Sequence, residues 1–148
     1  MECYRSPLPV HGVMVRIGRG EYVLEGLEEL CKKEGINTAM ILTGIGALDI
    51  CNIHTITKSD DPAGDISLHI EGPVEVGSMQ GAVVNGKPHM HVVVDDVNGE
   101  RVIVGHFEPG SRTSYGISIN MIVLDGIETS VSYDPKTAEA DFRWKVVR

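Results

Sequence analysis

The sequence predicts an α+β domain made mainly of antiparallel sheet, with one main amphipathic helix. One segment has the apolar spacing of a helix, whereas most of the remaining chain alternates apolar and polar residues with a period of two. The strand-like segments follow one another without the intervening helices that a parallel sheet needs as crossovers. With 148 residues, 42% of them hydrophobic, the chain has the size of one domain with an ordinary core.

The helix is expected between Glu21 and Glu34. Its apolar residues recur at helical spacing: Val23, Leu24, Leu27, Leu30 and Cys31. Acidic residues occupy its first half, and Lys32 and Lys33 lie in its last turn, which complements the helix dipole. Gly35 follows, and glycine is the residue preferred where a helix ends in the left-handed conformation.

About eight or nine strands are expected from segments with strand patterns. These segments are 13–17, 38–42, 48–57, 66–70, 74–84, 89–97, 101–107, 115–124 and 127–133. Between the second and third lies the glycine-rich sequence 43–47, which predicts a tight turn or bulge, since a dinucleotide-binding loop would need a third glycine and a following helix. Residues 59–65 predict an exposed acidic loop. The domain is expected to span 1–133, with 134–148 as a C-terminal tail.

Composition narrows the classes of function. The formal charge is −8, from 13 Lys and Arg against 21 Asp and Glu, which disfavours extended contact with a phosphate backbone. No apolar run approaches the ~20 residues of a membrane span, and the first residues lack the layout of a signal peptide. Cys3, Cys31 and Cys51 have no spacing typical of a disulfide framework or zinc knot, so they are expected to be reduced. We therefore expect a cytoplasmic protein with no membrane partner.

A hairpin is predicted around Asn98-Gly99, because this dipeptide between two strand-like runs favours a two-residue type I′ turn. If Val97 faces Glu100 across that turn, the numbers of paired residues sum to 197. The expected partners are Asp96 and Arg101, Val94 and Ile103, Val93 and Val104, His91 and His106, Met90 and Phe107, and His89 and Glu108.

Three histidines converge in this register. His89 and His91 project from the same face of one strand, and His106 lies opposite His91 with a Cβ distance of about 4.5–5.5 Å. Three imidazoles at this spacing suit Zn²⁺ with Zn–N bonds of about 2.0–2.1 Å and an open fourth position, as in catalytic zinc sites. We predict these three histidines as metal ligands and zinc as the cofactor. Glu108 is a candidate catalytic residue as a proton shuttle, a fourth ligand, or an acceptor for His89.

A plainer interpretation of the histidines stays open. Two histidines at this spacing on a strand are most often a pair of solvated polar residues, and a three-residue loop with a bulge would turn His106 to the opposite face. The remaining histidines, His11, His54 and His69, are expected to have no functional role.

Five short motifs occur in order along residues 13–133. They are 20–24 (GEYVL), 43–48 (TGIGAL), 74–81 (VEVGSMQG), 89–91 (HMH) and 105–106 (GH). Together they resemble the plants-and-prokaryotes conserved (PPC) domain family. The chain has Val104-Gly105 where the family usually has two glycines, and Ser118 near a position where the family often has glutamate.

The resemblance implies a compact antiparallel sheet with a flanking helix, similar in fold to acetolactate decarboxylase, that assembles as a homotrimer. It implies a metal at the positions of His89, His91 and His106. The apolar strand residues Ile117, Ile119, Met121 and Val123 are expected to contribute to subunit contacts.

The resemblance also implies a link to DNA, because plant members of the family join this domain to an AT-hook. The nearest match, residues 16–20, lacks the proline and the basic flanks, so a stand-alone domain is expected. Three functions remain open: a homotrimeric metal-binding protein with a regulatory role, a zinc-dependent lyase or hydrolase acting on a small molecule near the metal, and a DNA-binding protein. Charge makes direct DNA binding the least favoured of the three.

Overall fold

The computed structural model describes residues 10–58, 64–133 and 140–146 of the chain. Within these ranges the elements are β1 Val10–Ile17, α1 Val23–Glu34, β2 Thr38–Lys58, β3 Gly64–Val84, β4 Lys87–Asp96, β5 Arg101–Phe107, β6 Arg112–Leu124, β7 Ile127–Tyr133 and β8 Ala140–Val146. Every pairing between these strands is antiparallel. The predicted α+β class is confirmed. Most of the predicted acidic loop, residues 59–63, lies outside the described residues.

Six strands form one sheet in the order β1-β6-β2-β3-β4-β5, and β5 also pairs with β2. The second pairing joins Ile53 to Phe107 and His54 to His106, so that β2, β3, β4 and β5 close on themselves. Gly105 permits the closure, because a Cβ there would lie 2.3 Å from Ile53 Cγ2. Ile53 and Phe107 are buried inside the closed strands. Successive side chains alternate between faces, so His54 and His106 lie on the outer face.

The two longest strands continue through residues that we expected to interrupt them. β2 passes through residues 43–47, so the tight turn predicted there is wrong. The alternative prediction, a bulge, is found as a shift in the register of β2 against β6 between Ile41 and Thr43. Gly44 is required for close approach, since an added Cβ would lie 2.9 Å from Met79 Cβ. β3 likewise joins two predicted segments into one strand.

The helix packs one face on the sheet, as predicted. Its buried residues are Val23, Leu27 and Cys31. It ends at Gly35, which has the left-handed φ of 68°, and Ile36 N–H donates to Cys31 O at 2.8 Å. In the part of the chain that the structure covers, no helix has the length and apolar character needed to cross a bilayer.

The apolar face of β6 points inward and is not the subunit contact that we expected. Ile117, Ile119 and Met121 are buried in the core of the same chain, and Val123 packs against that core. The expectation that this face contributes to subunit contacts is therefore wrong. The strand alternates as predicted, but the sheet curves, so the helix and the other strands of the same chain cover the apolar face of β6.

A small second sheet, β7 with β8, includes part of the predicted tail. The sequence analysis assigned residues 140–146 to the tail because of their mixed charge, although ADFRWKV alternates apolar and polar residues with the period of a strand. Two hydrogen bonds fix β7 beside the start of β2 and the turn between β3 and β4: Thr38 Oγ1 donates to Ile127 O at 2.7 Å, and Asn85 N–H donates to Thr129 Oγ1 at 2.9 Å. Residues 134–139 and 147–148 lie outside the described ranges.

Candidate metal centre

The hairpin of β4 and β5 has the predicted register. All six of its pairs sum to 197, from His91 with His106 to Asp96 with Arg101. The loop contains four residues, 97–100, rather than the expected two. A loop longer by two residues leaves the register unchanged, because the same residues still face each other on either side.

The turn itself is of a different type from the one predicted. Its positive φ, 51°, is at Glu100 and not at Asn98-Gly99. The carboxylate of Asp96 holds the turn by accepting hydrogen bonds from Gly99 N–H and Arg101 Nε, both at 3.0 Å. The two successive positive φ values of a type I′ turn occur instead at Asn85-Gly86, 51° and 76°, between β3 and β4.

Three histidines of this hairpin form a cluster on its outer face. The ring centroids of His89 and His106 are 4.5 Å apart, those of His91 and His106 5.4 Å, and those of His89 and His91 5.7 Å. One ring nitrogen from each lies within 4.8 Å of the other two, so all three can reach a single ion through small side-chain movements. The structure therefore brings together the three residues that the sequence predicted as ligands.

A fourth histidine, His54 of β2, joins the cluster. Its ring centroid lies 4.6 Å from that of His106. Its Nδ1 is hydrogen-bonded to Oε1 of Glu108, and that oxygen lies 3.9 Å from His106 Nε2. The sequence assigned no role to His54, because no local pattern indicates that β2 pairs with β5. One role expected for Glu108 was to accept a hydrogen bond from His89, but the hydrogen bond observed for its carboxylate is with His54.

The cluster offers two sets of metal-ligating atoms among the described residues. One is His89, His91 and His106, and the other is His54, His106 and Glu108, with the atoms of each set within 4.8 Å of one another. The other two histidines lie elsewhere: His11 contacts Asp125 and His69 contacts Glu71.

Burial and mutual repulsion keep two of these imidazoles neutral. Burial lowers the pKa of His106 to about 4, with a further contribution from His89. Burial also lowers the pKa of His89, together with the nearby His91 and His54. A neutral imidazole has a lone pair available for a metal, so the environment prepares both side chains as ligands at neutral pH.

The cluster lines a cleft of about 870 Å³. Apolar and polar residues together form the rest of its wall: Thr55, Ile56, Val84, Asn85, Lys87, Pro88, Val104, Gly105 and Val131. Its size is that of a small-molecule site, and four histidines line it.

Fold and site together define a closed, mainly antiparallel α+β domain with an outward-facing histidine cluster. The chain matches the model of the Plants and Prokaryotes Conserved (PCC) domain over residues 4–123. It therefore belongs to this family, whose name is also abbreviated PPC. A comparison with curated proteins gave no significant sequence match.

Solved structures with the same fold include three from prokaryotes. A protein of Archaeoglobus fulgidus described as metal-containing has a TM-score of 0.79 and 22% identity, over 97% of this chain and 99% of that chain. A PPC protein of Pyrococcus horikoshii has a TM-score of 0.69 and 25% identity, over 93% of each chain. A candidate DNA-binding protein of Bacteroides thetaiotaomicron has a TM-score of 0.73 and 19% identity, over 89% of this chain and 91% of that chain.

Proposed function

We propose that this protein binds a divalent metal, Zn²⁺ in the first instance, through His89, His91 and His106. The observation that carries the proposal is the convergence of three ring nitrogens within 4.8 Å across two adjacent strands. The lowered pKa values of His89 and His106 add to it, since a metal requires neutral imidazole. The metal-containing A. fulgidus protein, which has the same fold, supports the same assignment.

Metal analysis of the full chain tests this proposal. Protein purified without a histidine tag is stripped with chelator, reloaded with one equivalent of zinc and desalted before elemental analysis. We expect about one zinc per chain and a melting temperature that rises with zinc concentration, because the metal binds the folded state. A chain that retains no zinc and shows no rise would contradict the proposal.

A second candidate function is a zinc-dependent lyase or hydrolase acting on a small molecule, and the cleft beside the histidines favours it. Bound zinc would supply Lewis-acid chemistry there. Glu108, partly exposed and hydrogen-bonded to His54, is the candidate proton shuttle. Binding of acetohydroxamate to the zinc-loaded protein, and its loss in His91→Ala, would support a ligand site at the metal. The similarity in fold to acetolactate decarboxylase stays a prediction.

Assembly, location and regulation complete the proposal. We propose a homotrimer with a regulatory role, in the cytoplasm. The buried free thiols of Cys31 and Cys51 support a reducing compartment, since burial raises their pKa to about 11 and about 12 and keeps them unreactive. The name of the B. thetaiotaomicron protein raises DNA binding as a third candidate, but the charge of −8 argues against direct contact with DNA.

A further inference from the structure

We propose that the histidine cluster contains a second cation position, formed by His54, His106 and Glu108, which binds Mn²⁺ or Fe²⁺ as an alternative to the zinc position. It uses a ligand set different from that of the proposed zinc position and shares only His106 with it. The two positions therefore overlap at one shared imidazole, that of His106, and are not independent sites.

The geometry of the second set is as compact as that of the first. Its three ligand atoms also lie within 4.8 Å of one another. His54 lies on β2 and His89 on β4, the two strands that flank β5. Their ring centroids are 4.6 Å and 4.5 Å from that of His106. His54, His106 and Glu108 are all partly exposed, with side-chain exposures of 34%, 21% and 34%, so an ion can reach them, and the two histidines also line the cleft.

The shared histidine makes the two positions alternatives. A neutral imidazole carries a proton on one ring nitrogen and a lone pair on the other, so His106 can coordinate one ion at a time. The wild-type protein should therefore bind one cation per chain and not two. Which position is filled depends on the metal, because the two sets differ in their donor atoms.

The donor atoms predict which metals distinguish the positions. The first set contains three imidazoles, which suit zinc. The second contains two imidazoles and a carboxylate, a combination found at both zinc and Fe²⁺ sites, and its carboxylate oxygen suits Mn²⁺ better than a third imidazole does. An ion in the second position must replace the hydrogen bond between His54 and Glu108. This competition predicts that zinc binds more weakly there than at the three-histidine position.

Mn²⁺ is the probe for the test, because unbound Mn²⁺ is counted directly by electron paramagnetic resonance. The full-length His89→Ala/His91→Ala variant lacks both ligands that are unique to the first position. We expect it to bind one equivalent of Mn²⁺ with an affinity within a few-fold of wild type. Adding Glu108→Gln or His54→Phe to this variant should weaken Mn²⁺ binding by at least about tenfold. Removing a group that only supports a ligand already costs about 10–100-fold in metal affinity, so removing a ligand itself should cost no less.

Two controls keep the outcome interpretable. The His69→Ala/Glu71→Gln variant removes an exposed histidine–glutamate pair of similar composition outside the cleft, and it should bind Mn²⁺ like wild type. Melting curves show which variants fold, and His89→Gln/His91→Gln replaces the alanine variant if that one does not.

Three results would overturn the second position. The first is that the folded His89/His91 variants bind no Mn²⁺. The second is that adding Glu108→Gln to them leaves Mn²⁺ binding unchanged. The third is that the wild-type protein binds two equivalents of cation per chain. Failure of the zinc proposal is measured separately, as loss of zinc binding by wild type itself.

Discussion

His54 on β2 lies against His106 on β5, with ring centroids 4.6 Å apart. The contact exists because β2 pairs with β5 over two residues and closes four strands on themselves. Closure brings Glu108 and His54 beside the histidines of the β4–β5 hairpin. The candidate site is therefore built from three strands, and its completeness depends on the short pairing that joins β5, at the end of the sheet, to β2.

Replacing Gly105 by alanine should damage both fold and site. The added Cβ would meet Ile53 Cγ2 at 2.3 Å and the backbone oxygen of His54 at 2.5 Å, so β5 must move away from β2. We expect the free energy of unfolding to fall by about 1–3 kcal/mol, as for overpacked cores, with weaker zinc binding. Urea denaturation and zinc titration measure the two effects. Gly12→Ala is the control, because nothing lies within 4 Å of a Cβ there; equal stability of the two variants would contradict the prediction.

Replacing His91 by alanine should remove most of the zinc without unfolding the protein. His91 is exposed, whereas the core consists of apolar strand and helix residues. The loss follows because two remaining imidazoles hold zinc less tightly than three. Zinc content after desalting, with circular dichroism as a check of folding, measures the outcome. Retention of a full equivalent under these conditions would mean that the three histidines are a solvated polar face.

The register of this hairpin was predictable from local sequence, and its turn was not. Counting outward from Asn98-Gly99 placed His91 opposite His106 correctly, even though the loop has four residues and takes its positive φ at Glu100. The prediction succeeded because loops of two and four residues give the same pairing. Alternation along β4 then fixed which side chains share a face.

The role of His54 could not be predicted in the same way. Its placement depends on the curvature that lets β5 return to β2, a tertiary property that no spacing in the sequence encodes. Gly105 is the residue that permits the close approach, but a single glycine in a strand also indicates a bulge or a bend. The helix was predictable, since its periodicity and terminal Gly35 are local signals.

The metal-free protein should lose stability as pH falls from about 6.5 to about 4. A histidine in the unfolded chain has a pKa near 6.5, whereas burial lowers that of His106 to about 4. In this window the unfolded chain binds a proton that the folded chain does not, so the free energy of unfolding decreases as pH falls. Above pH 6.5 both forms are neutral and this contribution is constant.

Urea denaturation at several pH values measures this dependence. His106→Gln should show a shallower fall between pH 6.5 and pH 4, because the variant lacks the group that titrates differently in the two states. Equal slopes for the variant and wild type would rule out His106 as the source. Zinc occupancy should fall in the same direction, since protons and metal compete for the same nitrogens.

The predicted homotrimer requires an apolar surface other than the one first expected. Exposed apolar side chains lie on the outer face of the sheet, among them Met14 on β1, Ile45 on β2 and Tyr115 on β6, which are 88%, 58% and 75% exposed. We expect light scattering at micromolar concentration to give three times the 16.1 kDa of one chain. Ile45→Asp should lower this mass while leaving the fold intact. A monomeric wild type would contradict the prediction.

Tight nonspecific binding to duplex DNA is not expected at physiological salt. Such binding depends on lysine and arginine side chains that release counterions from phosphates, and it scales with the number of phosphates neutralised. The chain carries 13 basic against 21 acidic residues, and a trimer would triple its charge of −8. Net repulsion at long range should therefore slow the encounter as well as weaken the complex. A filter-binding assay with random duplex measures it; submicromolar retention that falls as salt is raised would show a concentrated basic surface and overturn the prediction.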